Sequence, residues 1–197
     1  FIQADKLSEQ MDYHSISRVA GATLLNEEMI QYKGDTFEKL FINALAALNY
    51  LQLGQRDEAL VEVRRINQKF IKYNSDEKKK FELNSFSQYL SGLIWEADQK
   101  YDDACISYKG AYKLDSTYRA VAIDMLRGCW LARRSQEFDQ LAKEVKPTDE
   151  ELKKIKQSNK NEIIIVYLQG WGPRKYPRAQ DRISAELIPA PSNTKFL

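Results

Sequence analysis

No proline occurs before position 147; all five, Pro147, Pro173, Pro177, Pro189 and Pro191, lie there or beyond. A long proline-free stretch rich in Leu, Ala, Glu, Lys and Gln is what consecutive helices require, because proline removes a backbone donor and clashes with the preceding turn. There is one histidine, His14, so a His-rich metal site is excluded and a mechanism using a His base has a single candidate. Two cysteines, Cys105 and Cys129, are too few for a zinc knuckle or a disulfide framework. Neither charge dominates: 30 Lys+Arg face 28 Asp+Glu, a net +2, which argues against a dedicated nucleic-acid binder. The longest apolar run, Ile163 to Leu168, falls far short of the ~20 residues that cross a bilayer. The sequence opens on Phe-Ile-Gln-Ala with neither an initiator Met nor a signal-peptide pattern. It reads as a processed or partial piece of something longer, so the compartment stays open on this ground.

What is present is enough for a core. Apolar residues make up 43% of the 197 positions, and a chain of this length buries roughly 70% of its unfolded surface. The texture changes after Lys160: Glu162-Ile-Ile-Ile-Val-Tyr-Leu168 is β-branched and aromatic and ends at Gly170-Trp-Gly-Pro173, a buried-strand pattern followed by a turn. Such a strand must pair, and Ala185-Glu-Leu-Ile188 is the expected partner within this chain. Three regions are therefore expected: helices over 1–146, a charged connector over 147–161, and a strand with an extended tail over 162–197.

The helical part repeats. In 35–53, Phe37, Leu40, Phe41, Ala44, Leu45, Leu48 and Leu51 follow helical spacing, while Ile42, Ala47, Tyr50 and Leu53 form a second apolar face. Gly54 breaks the helix, and Ala59, Val63, Ile66 and Phe70 stripe the next one. The plan returns 45 residues later: Gly92 and Trp95 stand where Ala47 and Tyr50 stood, and Tyr101-Asp-Asp-Ala104 matches Arg56-Asp-Glu-Ala59. Helices are expected over 35–53, 57–73, 84–99 and 102–114, with a further pair in 118–145.

Leu53-Gly-Gln-Arg-Asp-Glu-Ala-Leu60 and Gln99-Lys-Tyr-Asp-Asp-Ala-Cys-Ile106 resemble the turn and second helix of tetratricopeptide repeats. The residues carrying the likeness are Ala47, Tyr50, Gly54 and Ala59 in one unit, then Gly92, Trp95, Ala104, Tyr108 and Ala111 in the next. Val63, Ile66 and Ser116 depart from that pattern, and the spacing of 45 exceeds the family's 34 by eleven residues, placed in the Lys-rich 74–84 segment. Repeat units fall near 37–71 and 82–116, with partial repeats at 1–12 and 118–145. The order Ala22-Thr-Leu-Leu-Asn26, Tyr32-Lys-Gly-Asp-Thr-Phe-Glu-Lys39, Glu58-Ala-Leu-Val-Glu-Val-Arg-Arg65 and Gly170-Trp-Gly-Pro-Arg-Lys175 is similar to an uncharacterised group of bacterial envelope proteins, often predicted lipoproteins with such repeats. The resemblance implies a mainly α superhelix with a small C-terminal β element, export to the periplasm, and outer-membrane anchoring through a lipid-bearing Cys outside this sequence. It supplies no catalytic residue.

Each candidate site has a plain alternative. His14 beside Ser15 and Asp12 is a general base or an ordinary loop histidine. Cys105 and Cys129 are small core residues or, in an oxidising compartment, a disulfide. Adjacent acid pairs such as Asp102-Asp103 point about 100° apart on a helix and read as solvated helix starts. The first helix of each unit is expected to line a groove with Phe41, Ala44, Leu45, Leu48 and Gln52, then Tyr89, Leu90, Leu93 and Glu96: apolar, without a carboxylate clamp, and so filled by a partner helix or strand or by this chain's own C-terminal segment. Trp171, Arg174, Lys175, Arg178 and Arg182 form a second candidate contact in the tail. The expected function is a non-catalytic interaction scaffold in a larger envelope assembly, without metal, cofactor or nucleic acid. The alternatives are a cytoplasmic repeat adaptor, or the accessory part of an envelope enzyme whose active site lies elsewhere.

Overall fold

A computed structural model describes residues 1–10, 34–76, 79–157, 163–167, 174–177 and 185–188. His14, Ser15, Asp12, Trp171, Arg178 and Arg182 lie outside these residues. The described chain is mainly helical. It divides into two units, Phe1–Ser158 and Asn159–Leu197.

The first unit begins with a helical stretch at 2–10, here α1. Then come α2 (Thr36–Gln52), α3 (Arg56–Asn74), a 3-10 turn (Lys80–Glu82), α4 (Ser85–Ala97), α5 (Tyr101–Leu114), α6 (Arg119–Leu131), α7 (Ser135–Val145) and α8 (Asp149–Lys156). Consecutive helices from α2 to α7 pack on one another. The alternate helices α2, α4 and α6 also touch, and α8 packs on α6.

Three hairpins share one turn. The residue after the C-cap is left-handed in each: Gly54 (φ 73°), Gln99 (φ 60°) and Arg133 (φ 57°). The following N–H reaches back five residues, from Gln55 to Tyr50 O (2.8 Å), Lys100 to Trp95 O (2.9 Å) and Arg134 to Cys129 O (3.1 Å). These bonds satisfy carbonyls that the helix end would otherwise orphan. The turns stand 45 and then 34 residues apart. Gly54 therefore serves conformation, as a helix-ending glycine, since a side chain there would meet nothing within 4 Å.

The eleven extra residues are shared between helix and connection. α3 has 19 residues and α5 has 14, a difference of five. The segment from Ser75 to Asn84 is ten residues long and that from Asp115 to Tyr118 is four, a difference of six.

The core follows the repeat register. Ala47, Ala59, Val63, Ile66, Ala104, Tyr108 and Ala111 are fully buried. Trp95 is buried too, with the Arg64 guanidinium 5.5 Å and the Lys100 ammonium 5.3 Å from its ring centroid. Gly92 meets Tyr108: a Cβ at Gly92 would lie 2.4 Å from the Tyr108 ring. On the ring's other side a Cβ at Gly128 would lie 2.9 Å away.

The expected charged connector at 147–161 is in fact largely helix α8. Thr148 caps it: Glu151 N–H donates to Thr148 Oγ1 (3.3 Å), and Thr148 N–H donates to the Glu151 carboxylate (2.7 Å). Ile155, only 1% exposed, joins the core with Leu152 packed beside it, so two apolar residues three apart dock an otherwise charged segment. Arg119 ties the end together, donating to Glu151 (2.9 Å through Nε), Val145 O (2.8 Å) and Lys146 O (3.3 Å).

In the second unit β1 (Arg174–Pro177) pairs antiparallel with β2 (Ala185–Ile188), with Arg174 opposite Ile188 and Lys175 opposite Leu187. Of the strand expected at 163–168, the described residues 163–167 adopt no regular structure, and Ile163 and Ile165 are 92% and 78% exposed. β-Propensity needs a ladder partner to act on, and Ala185–Ile188 pairs with 174–177 instead.

Two outcomes test this account. Gly92→Ala is expected to lower stability by about 1–3 kcal/mol in urea unfolding, despite alanine's better helix propensity, because the Tyr108 ring is walled on both sides. The Arg119 contact, with help from the Thr148 cap, holds the Glu151 carboxyl down at about 2. Its contribution to stability is therefore complete above the ordinary value of 4.5 and is lost as pH falls toward 2. Thermal melts of Glu151→Gln should show a shallower decline across that window than the parent chain.

Candidate functional site

The first helices of the three hairpins, α2, α4 and α6, turn a continuous face outward from the core. Phe41, Leu45 and Leu48 on α2, Phe86, Tyr89, Leu93 and Glu96 on α4, and Ile123, Asp124 and Arg127 on α6 are all half-buried on it. Phe41 stacks on Phe86 with ring centroids 5.7 Å apart, and Tyr89 on α4 donates to Asp124 on α6. The helices thus contact their counterparts two elements on through this face. Of the groove residues expected from the sequence, Phe41, Leu45, Leu48, Tyr89, Leu93 and Glu96 lie on it, and Gln52 is exposed at the end of α2. Ala44 and Leu90 are buried in the core instead.

The face is not uniformly apolar, which corrects the expectation. Between α4 and α6 it carries a polar network. Arg127 Nε lies 2.9 Å from Glu96 and Arg127 also bridges to Asp124 at 3.1 Å. Tyr108, rising from α5 beneath, donates to Glu96 at 2.6 Å. The Tyr89 and Tyr108 rings lie 5.7 Å apart. Burial first, and then the neighbouring carboxylates, push both phenols well above their ordinary range. They stay neutral and act as hydrogen-bond donors. Two carboxylates, one guanidinium and two phenols close on each other, an arrangement suited to fixing helix spacing rather than to proton transfer.

A second polar cluster sits at the other end of the unit. Asp5 on α1, Asn43 on α2, and Glu62 and Lys69 on α3 are all buried. Lys69 donates to Asp5 and to Asn43 Oδ1 (2.8 Å), Asn43 Nδ2 donates to Glu62 (2.7 Å), and Arg65 donates to Glu62 (3.0 Å). Every charge in it has an opposite partner, which is the condition for burial. The apolar stripe of α3 does not include these residues, so helical periodicity alone does not single them out. Glu62 and Lys69, one heptad apart, lie beside that stripe and were the available signal.

Cys105 on α5 and Cys129 on α6 are joined in a disulfide, with Cα atoms 4.7 Å apart, and both are fully buried. Ligand atoms of Cys105, Cys129 and Glu137 lie within 4.8 Å of one another. The sulfurs are spent on each other, so no thiolate is left to hold a metal. Glu137 is engaged by Lys109 and, at 3.1 Å, by Arg134, and these contacts, Lys109's foremost, hold its carboxyl below the usual value. Arg134 also reaches Asp102 at 2.7 Å.

Of the tail residues, Arg174 and Lys175 are placed on β1. Comparison with protein-family models, with curated proteins and with solved structures returns no match to this chain.

Lys69→Met would leave the buried Asp5 carboxylate with only its longer contact to Arg65 (3.5 Å). It is expected to cost about 3–5 kcal/mol in urea unfolding, with most of that loss recovered in Asp5→Leu/Lys69→Met.

Proposed function

We propose that the helical unit is a tetratricopeptide-type superhelix acting as a non-catalytic protein–protein interaction scaffold, a subunit of a bacterial cell-envelope assembly. The observation that carries this reading is the recurrence of one left-handed turn at Gly54, Gln99 and Arg133. The second interval, 34 residues, is the tetratricopeptide period. Recurrence places α2, α4 and α6 in equivalent positions and gives the stack one long face with apolar side chains at its α2 and α4 end. Half-buried aromatic and aliphatic anchors on a rigid helical face suit an extended or helical segment of another protein.

The disulfide supports an oxidising compartment, in keeping with the periplasm, because such bonds persist where thiols are not kept reduced. It favours the envelope reading over a cytoplasmic adaptor. Membrane attachment enters only through a lipid anchor outside this sequence. The non-catalytic reading draws support from the closure of each polar cluster on itself.

A photo-crosslinking residue placed at Leu45 or at Leu93 is expected to capture the same envelope protein from either position. One at Ile71, 72% exposed on α3, should not capture it. Leu93→Asp should weaken that capture about tenfold or more while the far-ultraviolet helix signal is unchanged. Equal capture from all three positions would remove the helix face as the binding surface.

A further inference from the structure

We propose that the Cys105–Cys129 bond is a redox-sensitive strut. It holds α5 against α6, and with them the Tyr89, Tyr108, Glu96, Asp124 and Arg127 network, so that reduction by a dithiol loosens α4–α6 and leaves α2–α3 in place.

The geometry is crowded at the bond. A Cα separation of 4.7 Å lies at the short end of what disulfides span. The α6 backbone runs so close to α5 that a Cβ on Gly128 would lie 3.4 Å from Cys105 N and 2.9 Å from the Tyr108 ring. Both cysteines are fully buried and belong to one core cluster with Tyr108, Met125 and Leu126, which are themselves fully buried. Two unbonded thiols occupy more room than the bonded pair, and a close-packed site answers added volume by moving its walls. The walls here are α5 and α6.

The consequence runs along both helices. Tyr108 stands one turn after Cys105 on α5, and its hydroxyl holds Glu96. Asp124 and Arg127 precede Cys129 on α6 and hold Tyr89 and Glu96. Separation of the two helices withdraws these partners from α4. The α2–α3 hairpin is held by its own turn and by the Asp5, Asn43, Glu62 and Lys69 cluster, none of which touches the strut.

The chemistry is thiol–disulfide exchange. A thiolate of the dithiol attacks one sulfur, the Cys105–Cys129 bond breaks, and a mixed disulfide forms. The reductant's second thiol displaces the protein sulfur and closes its own disulfide. Two electrons pass to the protein, and each cysteine sulfur ends with one proton. Because both sulfurs are buried, exchange requires prior opening of α5 from α6, so reduction is slow and follows local unfolding.

The test uses the full chain. After oxidative refolding, alkylation and mass measurement are expected to find no free thiol; a chain with two alkylated cysteines would overturn the proposal. Hydrogen exchange is then followed with and without dithiothreitol. Amides of α4–α6 should exchange roughly 300-fold faster on reduction, the factor that a disulfide between cysteines 24 residues apart contributes, while α2–α3 stay unchanged. No acceleration, equal acceleration in α2–α3, or global unfolding would each overturn it. Cys105→Ala/Cys129→Ala removes the bond without crowding, and a smaller acceleration than in the reduced parent is expected. An acceleration as large would show that crowding has no part, and would overturn the account.

Discussion

Tyr108 has no room on either side. Its ring is held between Gly92 of α4 and Gly128 of α6, both close enough that a single methyl would collide with it, and the ring itself is fully buried. One aromatic side chain therefore sets the distance between three helices. Its hydroxyl then reaches the polar network on the far face, donating to Glu96. One turn earlier on the same helix, Cys105 is bonded to α6. Spacing, covalent closure and the polar face all pass through a short stretch of α5. A residue of different volume at position 108 would change the pitch of the stack as well as its stability.

The two polar clusters do different work from the apolar core. Leucine and alanine faces tolerate sliding, whereas a bonded network is satisfied in one register. At one end Lys69 accepts no substitute for Asp5 and Asn43 without leaving a charge buried. At the other, Arg127 is bound to Glu96 and Asp124 from two helices. These networks also explain why the face is a weaker candidate for acid–base chemistry than a list of its residues suggests. Each titratable group has its partner within the protein, and both tyrosines are held neutral.

Much of the helical pairing was legible because small residues recur where helices must approach. Ala59 and Ala104 occupy one position of the turn register, and Tyr50 and Trp95 another. The third hairpin was faint for a definite reason. Phe138 stands where the alanines stood, and the left-handed position is filled by Arg133, just as the second hairpin uses Gln99, so only the first turn announces itself with glycine. Helix α8 was missed because charge outnumbers apolar residues in it, although the Thr148 and Glu151 capping pair was visible. At 163–167 the reverse holds: a β-branched run has strand propensity, but strand formation depends on a partner that no local pattern supplies. Glu62 and Lys69 were overlooked because a periodic reading ranks polar residues as surface by default.

The placement of the extra residues between the first two hairpins bears on what the stack can tolerate. Five lengthen α3 and six lengthen the link to α4, yet the three turns at Gly54, Gln99 and Arg133 keep the same backbone form and the same five-residue return bond. An insertion within the turn would rotate one helix of a pair against the other and expose the face that Ala47 and Ala59 bury. One between pairs only moves the next hairpin along, and the cost of a longer connection grows slowly with length. The hairpin turns thus keep one form while the links between them absorb variation. Phe41 still stacks on Phe86 across the longer link, so the face formed by α2 and α4 survives the insertion. The face depends on how hairpins dock, not on how much chain joins them.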